Sequence, residues 1–153
     1  MTPYERLKQL NLELPTPAVP LANYVPFVLA NGFLYLSGQG PRRLDGGTFT
    51  GKVGADVSLE DAYQHAQLTG LNLIAVAHLA LGDLARVRRV VKVLGMVNAA
   101  PTFGDHPKVI NGCSDLFVKV FGEAGKHARS AVGMGSLPGN ISVEIEVILQ
   151  VDG

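Results

Sequence analysis

The most regular stretch of the chain is its last. Ile141, Val143, Ile145, Val147, Leu149 and Val151 alternate with Ser142, Glu144, Glu146 and Gln150, and Ile148 is the one exception. A period of two over this length predicts a half-buried strand. Just ahead, residues 127–133 form a shorter extended segment in which Arg129 stands among small side chains. The longest helical pattern lies earlier. Leu59, Ala62, Tyr63, Ala66, Leu73, Ile74 and Ala77 recur at helical spacing, Ser58-Leu59-Glu60-Asp61 opens the run as a capping-box variant, and Leu81-Gly82 stops it. A second apolar stripe, Val109, Ile110, Cys113, Leu116, Phe117 and Val120, follows Asp105 as its cap and Pro107 in its first turn, and Gly122 and Gly125 end it.

Between these helices the β-branched run 90–97 predicts a strand. Tyr24 to Ala30 and Phe33 to Ser37 flank Asn31-Gly32, a strong hairpin signal because both residues tolerate positive φ. At the start, Thr2-Pro3-Tyr4-Glu5 reads as a capped short helix with Leu7 and Leu10 on its apolar side. The proline-rich stretch 14–20 ends that helix as an extended arm. Strand, long helix and strand suggest a crossover unit. Two helices with one apolar stripe each must cover one face of a sheet of about five or six strands. The other face then needs a partner, such as the neighbouring subunits of a trimer. The short link between the last two strands suggests a hairpin, and their pairing stays open on the residues alone.

The length, 153 residues, fits one domain large enough to bury a core unaided. Charged residues make up 17%, below the roughly 25% usual for soluble domains. Basic and acidic residues balance at 13 each, which argues against a general electrostatic grip on nucleic acid. Cys113 is the single cysteine, so no intrachain disulfide or thiolate cluster can form, and the four histidines show no metal-ligand spacing. The first residues hold no apolar signal core and no stretch is long and apolar enough to span a membrane, so a cytoplasmic protein without membrane contact is expected.

Arg129 offers a planar, bidentate grip on a carboxylate. Glu144 and Glu146 share one side of their strand, and either could orient a water or move a proton. An arginine and carboxylates on nearby strands could form a small-acid site or merely an ion pair on a wet sheet face. Tyr24 and Ser37 sit at the ends of their strands, where a hydroxyl could reach a sheet rim. Asn111 interrupts the second helix's apolar stripe, as a buried amide or a pocket wall. His127 could titrate near neutral pH, although packing is its simpler role, and Cys113 reads as core.

Taken together these residues resemble the Rid/YjgF family of enamine/imine deaminases. The resemblance is carried by Asn23-Tyr24-Val25, Tyr35-Leu36-Ser37-Gly38-Gln39, Val109-Ile110-Asn111 with Phe117 after it, Ala128-Arg129-Ser130, Leu137-Pro138 and Val143-Glu144-Ile145-Glu146. It covers residues 23–151, and it implies an α+β, chorismate-mutase-like (YjgF-like) fold with a mixed sheet and two main helices on one face. Residues 1–22 would be an N-terminal helix and arm, and 23–153 a single YjgF-like domain. The implied assembly is a homotrimer with pockets at subunit interfaces, taking a small carboxylate substrate and needing no metal or other cofactor. In the implied chemistry Arg129 clamps the carboxylate, Glu144 activates water, and Tyr24, Ser37 and Asn111 shape the pocket, so that a 2-imino or enamine acid becomes a 2-keto acid and ammonia. The family often has a cysteine where this chain has Ala131, and a proline where it has His127. A non-catalytic carboxylate-binding trimer, an endoribonuclease and a chorismate mutase are the alternatives on the same fold.

Overall fold

The computed structural model describes residues 1–17 and 23–152. Residues 18–22 of the predicted helix and arm lie outside the described residues. The elements run α1 (Pro3–Gln9), β1 (Phe27–Ala30), β2 (Phe33–Gln39), α2 (Leu59–Leu81), β3 (Val87–Asn98), α3 (His106–Phe121), β4 (Ala128–Met134) and β5 (Val143–Val151). The architecture is α+β, with a five-stranded mixed sheet in the order β1-β2-β5-β3-β4.

Local signals explain most boundaries. Thr2 and Glu5 cap each other at the start of α1, the Glu5 N–H donating to Thr2 Oγ1 at 3.1 Å and the Thr2 N–H to Glu5 Oε2 at 2.9 Å. Asn31 and Gly32 both take positive φ, 52° and 79°, and close the β1–β2 hairpin. Ser58 accepts the Asp61 N–H, and Gly82 ends α2 in the left-handed region. Asp105 occupies the cap position of α3, but its side chain makes no capping bond. β1 starts at Phe27, not Tyr24, and residues 24–26 run alongside as irregular chain. Pro26 lacks the N–H that a ladder would use there.

The last two strands are not a hairpin. β4 pairs in parallel with β3, and β5 lies on the other side of β3, antiparallel to both β3 and β2. The burial pattern gives the reason. β5 carries five buried apolar side chains and goes to the centre of the sheet, whereas no residue of β4 is fully buried and β4 becomes an edge.

Val143, Ile145, Val147, Leu149 and Val151 pack with Val90, Val93 and Val97 beneath the apolar stripes of α2 and α3 in one core. Each such side chain contributes about 1.5–3 kcal/mol of burial. The two helices approach closely at Gly112, where any Cβ would run into the Tyr63 carbonyl. Across the same helix pair the Tyr63 hydroxyl donates to Asp115 Oδ2 at 2.6 Å. α1 lies on this layer through buried Leu7, and the Tyr4 hydroxyl accepts the Leu84 N–H at 2.8 Å.

Candidate functional site

Strand register decides which way each candidate points. Arg129 on β4 lies opposite Val93, which is fully buried beneath the helices, so Arg129 also faces the helix layer. There its Nη1 donates to Asn111 Oδ1 at 2.8 Å and to Ser114 Oγ at 3.1 Å. Asn111 and Ser114 are three residues apart on α3 and therefore share a face. Among the described residues no carboxylate pairs with Arg129, and its Nε and Nη2 have no acceptor. A cleft of about 240 Å³, lined by Ser114, Val118, Lys126, His127 and Arg129, opens beside the guanidinium.

His127 ends the turn before β4 and is held at both ring nitrogens, Nδ1 to the Gly125 carbonyl at 2.6 Å and Nε2 to Ser114 Oγ at 2.8 Å. Burial is the main influence on this imidazole and lowers its pKa. The Gly125 bond opposes that, and the Arg129 and Arg89 cations reinforce it. Cys113 is fully buried on α3, and burial pushes its thiol pKa far up, so it is a core residue.

Glu144 points the other way. Its neighbours Val143 and Ile145 are buried beneath the helices, which puts Glu144 and Glu146 on the face without helices. Glu144 is half-buried there, and its pKa is raised, first by burial and then by Glu146. The backbone of β2 passes close beside it: a Cβ at Gly38 would stand 2.5 Å from Glu144 Oε2. The β2–β5 register shifts between Leu36 and Gln39, so Ser37 and Gly38 fall in a bulge. Ser37 Oγ donates to the Val25 carbonyl at 2.6 Å, and the Ser37 N–H to the Pro26 carbonyl at 2.9 Å. These bonds fix the chain next to Tyr24, whose side chain is 54% exposed.

The structure thus joins Asn111 to Arg129 and sets the Ser37–Gly38 bulge against Glu144, but it places these two groups on opposite faces of one sheet. The arginine and the carboxylates do not meet within the chain, as a pair or as a site, because residues that share a register line across β4, β3 and β5 share a face, and Arg129 lines up with Val147. Sequence reasoning missed Ser114, although its spacing from Asn111 was a usable signal, and it gave His127 a packing role where two hydrogen bonds are found. Among the described residues no cluster of His, Cys, Asp or Glu is placed to hold a metal, and no helix is long and apolar enough to cross a membrane.

Known proteins share this fold over nearly the whole chain. Residues 4–148 match the family described as "YjgF/chorismate mutase-like, putative endoribonuclease". Protein TCP17 of Trypanosoma cruzi is 40% identical over 147 residues, 95% of this chain and 92% of its own length. The crystal structure of Atu1372 from Agrobacterium tumefaciens, a protein of unknown function, superposes with a TM-score of 0.92 at 45% identity, over 99% of this chain and 93% of that one. A structure from Shewanella oneidensis, described as "a putative endoribonuclease", gives 0.95 at 34% identity, over 99% and 100%. With the mixed five-stranded sheet, the two covering helices and a family match that spans most of its length, the chain belongs to the Rid/YjgF family.

Proposed function

We propose that the protein hydrolyses reactive 2-imino or enamine acids to 2-keto acids and ammonia. The observation that carries this reading is Arg129, held at Nη1 by an amide and a hydroxyl beside a cleft, with Nε and Nη2 left without acceptors among the described residues. That edge of a guanidinium suits a substrate carboxylate. The C=N carbon is electrophilic, so a positioned water and a proton carrier suffice. An enamine acid first moves a proton from nitrogen to carbon and becomes the imine. Glu144, its pKa raised by burial, then takes one proton from the attacking water and delivers it to the imine nitrogen. It carries the second from the adduct's hydroxyl to that nitrogen as the C=O forms, the C–N bond breaks and ammonia leaves.

Arg129 and Glu144 lie on opposite faces of the sheet, so a working site takes Arg129 and Asn111 from one subunit and Glu144, with Ser37 and Tyr24, from the next. A homotrimer in which the β4 edge of one subunit meets the helix-free face of the next supplies that arrangement. The word endoribonuclease, used of the family and of the Shewanella protein, finds less support in this chain, whose 13 basic and 13 acidic residues leave no net positive charge for RNA.

The test is keto-acid release from an imino acid generated in situ. Arg129→Ala and Glu144→Gln should each lower kcat/KM by about 10²-fold or more. Mixing the two inactive variants under conditions of subunit exchange should restore activity, because some interfaces then hold both native groups. Full activity in either single variant would overturn the mechanism, and no recovery on mixing would overturn the shared site.

A further inference from the structure

With the His127 ring neutral, the hydrogen bonds around it have one consistent set of directions. The Gly125 carbonyl can only accept, so Nδ1, 2.6 Å away, carries the ring hydrogen. Arg129 Nη1 can only donate, so Ser114 Oγ accepts from it at 3.1 Å. The Ser114 hydrogen is then free for His127 Nε2, 2.8 Å away, which in the neutral ring is an acceptor. Both hydrogens of Arg129 Nη1 are used, one on Ser114 and one on Asn111 Oδ1 at 2.8 Å. The result is a directed chain, Arg129 to Ser114 to His127 to the Gly125 carbonyl. Its far end is backbone, in a 3-10 turn at the end of α3.

We propose that Ser114 and His127 are positioning residues for Arg129, which together with Asn111 lock one end of the guanidinium and present its other edge to a substrate carboxylate. The inference rests on the reading of Arg129 as the carboxylate clamp. Packing alone would not set hydrogen bonds on both ring nitrogens and on both sides of Ser114. An arginine ordered before its ligand arrives loses less freedom on binding. The arrangement also couples His127 to the ligand. Facing the ring are Arg129 from β4, Arg89 from β3, Ser114 and the edge-on ring of Phe117 from α3, and Lys126, which pairs with Glu123, from the preceding turn. A carboxylate docked on Arg129 offsets one of the cations that disfavour the imidazolium, so the His127 pKa should rise on binding. By linkage, protonating His127 should then tighten carboxylate binding.

The probe is 2-oxobutanoate, a stable keto acid, with binding followed by calorimetry and His127 by NMR titration in the full chain. Ser114→Ala should weaken binding by about tenfold, the loss of one hydrogen bond to a charged group. Ser114→Thr should restore most of it. His127→Asn keeps a donor for the Gly125 carbonyl, but its amide oxygen falls short of the place of Nε2 and leaves Ser114 without its acceptor, so binding should fall between. In the native protein the His127 titration should move to higher pH when 2-oxobutanoate is added, and it should not move in Arg129→Ala. If Ser114→Ala binds as the native protein does while Arg129→Ala has lost binding, the positioning role is overturned and the clamp stands. If Arg129→Ala binds normally, the clamp falls and the inference with it. Should Ser114→Ala fail to fold, the native His127 titration decides: a titration indifferent to ligand overturns the proposal.

Discussion

The two faces of the sheet are made from the same five strands, yet one is completed within the chain and the other is not. Under the helices, Val93, Val97, Val143 and Ile145 are wholly buried. On the opposite face Leu94, Met96 and Ile148 are only half-buried, and Val28, Tyr35 and Val132 are exposed, with Lys92, Glu144 and Glu146 among them. A sheet face open to water is ordinarily polar. This one is mostly apolar with a few charges, the composition of a surface that another subunit covers. The comparison separates what holds the chain together from what would assemble it. Glu144 accordingly carries a raised pKa and no hydrogen bond among the described residues, whereas Arg129 is held at Nη1 by two residues of α3.

Matched substitutions on one strand break the comparison most sharply. Ile145→Ala empties a fully buried position and should cost about 2–5 kcal/mol in urea or thermal unfolding. Ile148→Asp, three residues on and facing the other way, should leave the secondary structure intact while the sedimenting mass falls to that of one chain. An unchanged mass would sink the idea that this face is where subunits meet.

The next effect is confined to the site. Gly38→Ala places a methyl 2.5 Å from Glu144 Oε2 and 3.2 Å from its Cδ, atoms at the end of a flexible side chain rather than backbone. The carboxylate can swing aside, so the fold should survive with its melting temperature nearly unchanged. On the proposed mechanism the displaced group would no longer address the water, and a shift of about 1 Å is enough for a loss near 10²-fold in kcat/KM. Equal losses of stability and activity would instead make Gly38 a packing residue.

Much of the fold was legible in the sequence, and the reasons are local. The alternation of β5, the Ser58 and Thr2 caps, the Asn31-Gly32 turn and the stripe of α3 are each set by neighbours within a few residues. The partner of β4 was not legible, because the short link to β5 suggested a hairpin while the crossover through α3 took β4 to β3. The site was legible as a set of residues and not as an arrangement. Arg129, Asn111 and Glu144 could be picked out by type and resemblance. Only the register shows that Arg129 lines up with Val93 and Glu144 with Met96, on opposite faces. Ser114 looked like an ordinary polar position on α3 until His127 and Arg129 were both found against it.

The smallest expected effect concerns the pair on the uncovered face. Burial raises the Glu144 pKa most, and the charge of Glu146 adds to it. Glu146→Gln removes the second cause and keeps the first, so the Glu144 pKa should fall but stay above the ordinary carboxylate range. If Glu144 acts as the base, kcat/KM rises with pH as it ionises, and this acid limb should move to lower pH in Glu146→Gln with the plateau little changed. The stability effect has the same origin. A carboxyl with a raised folded-state pKa favours the folded state when protonated, and that contribution is lost as pH rises through the folded pKa. Glu146→Gln lessens the loss, so the variant should be slightly more stable than the native chain near neutral pH, and the difference should vanish in acid below the unfolded-state pKa. Urea unfolding at the two ends of that range measures it. A variant that is less stable at neutral pH would mean that Glu146 has a favourable partner on that face, with Lys92, on the adjacent strand, the nearest cation in the register.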